Sequence, residues 1–130
     1  MTVKLFCEVY AKRILPALRA LVAKIMVNEY GLTQLDAAKI LGVTQASINY
    51  YLSGKRGHKL LAELESIDTV YRIAKSMAKS LIEGRMDSAD YLCRLCMFLK
   101  ENRSVLERVL IASGVRRVKI TPTKVISVET

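Results

Sequence analysis

The sequence predicts an all-α fold with a short β-prone C-terminal tail. Apolar residues recur at spacings of three and four along most of the chain, which is the pattern of amphipathic helices. Two short segments each begin at a Thr and are separated by a Gly, which predicts two helices joined by a tight turn. The last residues change to Val, Ile and Thr, which favour strands. We therefore expect a helix-turn-helix head, C-terminal helices that form a dimerisation core, and the tail.

The composition fits one packed unit and points to an anionic partner. The chain has 130 residues, of which 52% are hydrophobic, and this length is short for two independent domains. Its 21 Lys and Arg against 12 Asp and Glu give a net charge of +9, which favours nucleic acid or a membrane surface. No apolar run reaches the ~20 residues of a membrane span, and Met1 is not followed by a signal sequence. We expect a cytoplasmic protein without a membrane partner.

The first predicted helix covers residues 9–30. Its apolar residues follow helical spacing, and we expect it to end at Gly31, because a residue in the left-handed conformation commonly closes a helix. Pro16 either starts this helix or kinks it, since proline has no backbone N–H to donate.

Two short helices are predicted on either side of Gly42, which permits a tight reversal of the chain. Thr33 and Asp36 have the spacing of a capping box at the start of the first helix, with a carboxylate in place of the usual Glu or Gln. Thr44 is the N-cap of the second helix, which should end near residues 53–54. Ala38 is small enough to let the helices cross closely. The side chains expected to fill the space between the helices are Leu35, Ile48 and Leu52.

Three further helices are predicted after this head. Residues 60–82 carry apolar side chains at steps of three and four, and Asp68 is a point at which this helix could break in two. Ser88 could cap a further helix through residue 99, and residues 104–112 form the last one.

The chain divides in sequence into a head, residues 1–59, a helical core with a sensor region, residues 60–114, and a β-prone tail, residues 115–130. In the tail, residues 121–123 separate two β-prone runs, which predicts a small hairpin, a strand exchanged with a partner, or a frayed end. The core holds more helix than a DNA-binding head requires. It either forms a homodimer or completes the core of a monomer.

One pattern joins the two short helices and the residues that follow them: Gln34, Ala38, Gly42, Thr44, Gln45, Ser47, Ile48, Gly54 and Lys55. In this pattern the segment resembles the Xre and phage-repressor family of helix-turn-helix regulators. It departs at Tyr51, where the family usually places an aliphatic core residue. The resemblance implies a transcriptional regulator that binds double-stranded DNA sequence-specifically. In a homodimer, two heads ~34 Å apart would read a pseudo-palindrome.

The resemblance also implies which residues contact DNA. It places toward base edges Gln45, Ala46, Asn49 and Tyr50. It places nearer to phosphates Gln34, Thr44 and Ser47. Gln and Asn can bond an adenine edge bidentately and Ala can touch a thymine methyl, so the expected target contains A·T pairs. Because the motif itself is neutral, the phosphate attraction should come from the basic residues that follow it, Lys55, Arg56 and Lys59.

The three cysteines allow a structural or a sensory interpretation. Cys93 and Cys96 form a C-x-x-C pair on one helical face, where they could act as small buried hydrophobes. Together with Cys7 they could instead hold an iron-sulfur cluster or zinc, and two pairs meeting across a dimer would supply four ligands. The chain is also similar to a group of small archaeal predicted regulators in these cysteines, residues 15–19 and residues 52–57, which implies a redox or metal response.

Two other classes of function remain as alternatives. An enzyme is not expected, because the chain has one His and neither a glycine-rich phosphate loop nor a Ser, His and Asp set. If the protein were an enzyme, a thiol redox protein would be the best interpretation. The second alternative is a protein-interaction adaptor or antitoxin-like binder whose head only autoregulates.

Overall fold

Helices make up most of the protein in a computed structural model that describes residues 3–53, 58–120 and 126–129. The helices in this part of the chain are α1 (Phe6–Val9), α2 (Leu15–Asn28), α3 (Gln34–Leu41), α4 (Gln45–Leu52), α5 (His58–Ser66), α6 (Asp68–Ile82), α7 (Asp90–Glu101) and α8 (Arg103–Ala112). The strands are β1 (Val3–Leu5), β2 (Arg117–Ile120) and β3 (Ile126–Glu129). The all-α prediction with a β-prone tail is confirmed.

A π-helical turn, Tyr10–Ile14, joins α1 to α2. Helical structure therefore begins at Phe6, earlier than the predicted residue 9. Pro16 lies in the first turn of α2, so it starts this helix and does not kink its interior. Because proline offers no N–H and its ring crowds the carbonyl four residues earlier, the wider turn just before it accommodates the change in hydrogen bonding.

The interruption predicted near Asp68 is confirmed, whereas the predicted cap at Ser88 is wrong. Ile67 has φ −87° and ψ 105°, an extended conformation that separates α5 from α6. At the start of α7 the N-cap residue is Ala89, and its N–H donates to Oδ1 of Asp87 at 3.1 Å. Asp87 therefore satisfies the backbone donor at this turn, in keeping with the preference of Asp for such local bonds.

The tail forms a hairpin in which β2 and β3 are antiparallel, with Val118 opposite Val128. The alternative of a hairpin is thus confirmed, although its connection, 121–125, lies outside the described residues. β1 also pairs antiparallel with β3, which places the tail strand β3 at the centre of the sheet. The strand β1 was not predicted. Ile126 and Val128 are buried, so one face of β3 packs on the core.

One apolar core unites the head and the C-terminal helices, and α2 lies at its centre. Leu18, Val22 and Met26 on α2 are fully buried, as are Leu64 on α5 and Leu106 on α8. α2 contacts both helices of the head and also α5, α6 and α7. The helices after residue 60 therefore complete the core of a single chain. Of the helices that the structure describes, none is long and apolar enough to cross a membrane.

Candidate DNA-binding surface

The first helix of the head, α3, begins and ends as the sequence predicts. The Thr33 Oγ1 accepts the N–H of Asp36 at 3.1 Å, and Thr33 is the N-cap. This is one half of the predicted capping box, and the described hydrogen bonds of α3 include no return bond from the Asp36 carboxylate. Gly42 ends α3 at φ 71° and ψ 33°, a conformation that L side chains rarely adopt. Val43 then donates to the Ala38 carbonyl at 3.0 Å, which fixes the reversal.

The second helix, α4, is capped by Thr44, which accepts the N–H of Ser47 at 3.1 Å. The hydroxyls of these two residues also lie 2.9 Å apart and share one hydrogen bond. Since each hydroxyl carries one hydrogen and one of the two is used between them, the pair keeps a single O–H to offer to another acceptor. Of the two phosphate contacts predicted for Thr44 and Ser47, only one can therefore use a donated hydroxyl in this arrangement.

Packing holds α4 against the core through its inner face. Ile48 is completely buried, as is Ala37 on α3, while Tyr51 and Leu52 are partly buried against the core. Tyr51 thus takes the inward position of an aliphatic residue, with its ring against apolar neighbours. The expectation that Leu35 fills the space between the helices is wrong, because its side chain is 47% exposed. It points away from the face that buries the small residues of α3.

The opposite face of α4 is open to solvent. The residues predicted to read base edges are all exposed there: Gln45, Ala46, Asn49 and Tyr50. The first two of these residues lie about one helical turn before the last two, so all four share one side of the helix. This side carries amide and phenol groups that can donate and accept hydrogen bonds, together with one methyl group. The geometry brings the four residues together, and their contacts with DNA stay a prediction.

The residues predicted to contact phosphate are distributed around this face. Gln34 is the first residue of α3 and is half-buried, and Lys59 is exposed in the first turn of α5. Lys55 and Arg56, which were predicted to clamp the backbone, lie outside the described residues.

The cysteines lie at a second place, where α1 passes α7. The Tyr10 hydroxyl donates to the Leu92 carbonyl at 2.6 Å, and Nζ of Lys100 lies 5.8 Å from the centre of the Phe6 ring. These two contacts, one from α1 and one from the π-helical turn, place this part of the chain beside α7, and with it Cys7, which sequence reasoning could not locate. Cys7 and Cys93 are exposed, and Cys96 is half-buried.

Within the described residues the three thiols do not come together as one group of metal ligands, and a metal site that uses further ligands stays a prediction. In the described part of the protein, no three His, Cys, Asp or Glu side chains form a group that could hold a metal ion. Burial raises the pKa of the Cys96 thiol above its usual value, and the Lys100 ammonium opposes this rise. The nearby Cys7 and Cys93 thiols add to the rise. Burial therefore disfavours the thiolate form of Cys96, which is the form that acts as a nucleophile.

Two capped helices, a left-handed glycine turn and an exposed polar face define a helix-turn-helix head of the type that DNA-binding transcription regulators carry. Residues 22–63 match the family model HTH_3, helix-turn-helix, so the chain carries a head of this Xre and phage-repressor-like family. The match ends at the start of the helices that complete the core. Comparison with curated proteins and with solved structures gave no match.

Proposed function

We propose that this protein is a sequence-specific regulator of transcription that acts as a homodimer on pseudo-palindromic double-stranded DNA. The exposed face of α4 carries the proposal, because it is polar, capped at its start and anchored from behind by the buried Ile48. In such heads the second helix enters the major groove. Gln45 and Asn49 would bond adenine edges, and Ala46 would contact a thymine methyl.

Phosphate contacts would surround this readout. Lys59, with Lys55 and Arg56 before it in sequence, would attract the backbone, and Gln34 would donate from the start of α3. The hydroxyl that remains free in the Thr44 and Ser47 pair would add one neutral donor. The function is binding and not catalysis, since these groups recognise edges and charges without a reacting centre.

The homodimer would use the C-terminal helices. Met97 on α7 is 59% exposed and Ile111 on α8 is 63% exposed, although the other large apolar side chains of both helices are buried or half-buried. Large apolar side chains that a single chain leaves in water favour association. In the three-stranded sheet, β1 and β2 are the outer strands, and each has an edge to which another strand could add.

Selection of bound sequences from a random DNA pool tests the proposal, with the mass of the free protein measured by light scattering. We expect an enriched palindrome with A·T pairs in each half-site, and twice the mass of one chain. Met97→Lys with Ile111→Lys should give a monomer with weaker binding to the palindrome. A monomeric wild-type protein would contradict the homodimer. Absence of any enriched motif would favour the protein-interaction adaptor instead.

For the cysteines we propose a thiol response in which Cys7 and Cys96 form a disulfide between α1 and α7. The two S–H bonds break and one S–S bond forms, and an external two-electron oxidant, a peroxide or a diazene such as diamide, takes up the two protons and two electrons. α7 contacts α2, which also contacts α4, so a link to α1 could change how the head is held. The half-buried Cys96 would react slowly near neutral pH, because its raised pKa leaves little of the thiolate that attacks an oxidant or an oxidised Cys7.

Oxidation with diamide tests this response. We expect the mass to fall by two hydrogens, the reaction to accelerate as the pH rises, and the affinity for the selected DNA to change. Cys93→Ser should retain the disulfide, whereas Cys7→Ser should lose it. A Cys93–Cys96 link in the peptide map, or oxidation without effect on DNA affinity, would contradict the proposal.

A further inference from the structure

A groove of about 580 Å³ lies beside α4, the helix proposed to read DNA. Its walls come from parts of the chain that are distant in sequence: the π-helical turn, α2, α4, α5 and the end of α8. Small-molecule sites typically have volumes of about 300–1,000 Å³ and apolar walls with a few polar groups. The groove has the size and the mixed lining of such a site.

The apolar part of the lining comes from α2 and α5. Ala17 and Ala20 face the groove from α2, and Leu60 and Leu61 face it from α5. The two alanines are three residues apart on α2, so they lie on one side of the helix and leave room there. An aromatic or branched aliphatic group would find contact on both sides here, and its transfer from water would be favourable.

The charged part of the lining is positive. Lys12, Arg13 and Lys59 line the groove, and its described lining includes no Asp or Glu. Nη1 of Arg13 donates to the Ser113 carbonyl at 2.9 Å, which holds the guanidinium at the end of α8. The acidic residues of α5 are engaged elsewhere, with Glu65 bound to Lys24 at 2.8 Å and Glu63 bound to Arg108.

Two tyrosines of α4 complete the lining. Tyr50 is 43% exposed and belongs to the face predicted to read DNA, and Tyr51 is half-buried behind it. Their hydroxyls can donate hydrogen bonds to an anion, and their rings can stack on a flat ligand. A molecule in the groove would therefore touch the same helix that would enter the major groove of DNA.

We propose that the groove binds a small organic acid, with an aromatic or aliphatic body on the alanines and leucines and a carboxylate or phosphate near Lys12 and Arg13. Its regulatory consequence rests on the proposed function: the occupied groove fixes Tyr50 and Tyr51 in one arrangement and so changes the affinity of α4 for DNA. By linkage, DNA must then change the affinity for the acid by the same factor.

The site is tested by titrating the free protein, without DNA, with 2-naphthoate in a calorimeter. We expect one molecule per chain, and 2-naphthamide, which has the same body without the charge, should bind about tenfold more weakly. Lys12→Glu should also lower the affinity for naphthoate about tenfold. Lys119→Glu makes the same charge change on the exposed strand β2, outside the groove lining, and should leave the affinity within about twofold.

Several results would overturn the proposal. Equal affinity for the acid and the amide would exclude an anion site, and affinity that falls as protein concentration rises would assign the groove to a second copy of the chain. A third result would assign the groove to the DNA phosphates instead. In that case Lys12→Glu would weaken binding to all DNA more than Lys119→Glu does, and the affinity for naphthoate would stay unchanged.

The regulatory part has its own measurement. In the presence of saturating naphthoate, the affinity for the selected DNA should change about fivefold or more. An unchanged DNA affinity would overturn the coupling. A protein that bound no specific DNA would refute the proposed function, while the calorimetry would still decide whether the groove takes an acid.

Discussion

Replacing Gln45 and Asn49 together by Ala is expected to abolish most of the preference for the selected DNA sequence. A bidentate contact with the correct base contributes ~1–3 kcal/mol of discrimination, so two independent contacts are worth about 2–6 kcal/mol. Both side chains are exposed on α4, and neither contributes to the core. The loss should therefore fall on recognition and leave the free energy of unfolding nearly unchanged.

Fluorescence anisotropy with the selected duplex and a scrambled duplex, at several salt concentrations, measures this effect. The double variant should bind both duplexes with similar, weak affinity, because the phosphate contacts remain. Lys59→Ala is the control: it should weaken binding to both duplexes and reduce the salt dependence by about one unit of slope. If the double variant kept the wild-type ratio of affinities, α4 would not be the element that reads the bases.

The head could be predicted from the sequence because its signals are local. Thr33 and Thr44 cap helices through bonds to residues three positions later, and Gly42 takes a conformation that other residues disfavour. Each of these signals acts within one turn of helix, so the sequence alone contains the evidence. The burial of Ile48 and the exposure of Asn49 follow from the same short-range periodicity.

Features that depend on distant parts of the chain could not be predicted in this way. β1 has three residues, too few to show an alternating pattern, and it exists as a strand because it pairs with β3 at the other end of the chain. The groove likewise needs α2, α4, α5 and α8 to meet. Its lining residues come from separate stretches of the sequence, so no single motif marks it. Leu35 is a case in which a local pattern misleads. Its apolar side chain within the motif predicts a core position, but the helix turns that side chain outward.

Ile48→Ala should be the most destabilising single change on α4. Ile48 is completely buried, and large-to-small substitutions of this kind cost ~2–5 kcal/mol through lost burial and the cavity that remains. Ile48→Val should cost only ~0.5–1.5 kcal/mol, because most of the side chain is kept. Leu35→Ala removes an apolar side chain of similar size that is 47% exposed, and should change stability far less.

Urea unfolding, monitored by circular dichroism, measures the free energy of unfolding of each variant. It also tests whether the head unfolds together with the core. Ile48 belongs to the same buried cluster as Leu64 and Leu106, so its loss should lower the unfolding midpoint in a single transition with an unchanged slope. If α4 instead loosened first, a second transition would appear at low urea and DNA binding would be lost with it. A single transition would mean that every element touching α2, including the walls of the groove, contributes to the stability of the helix proposed to read DNA.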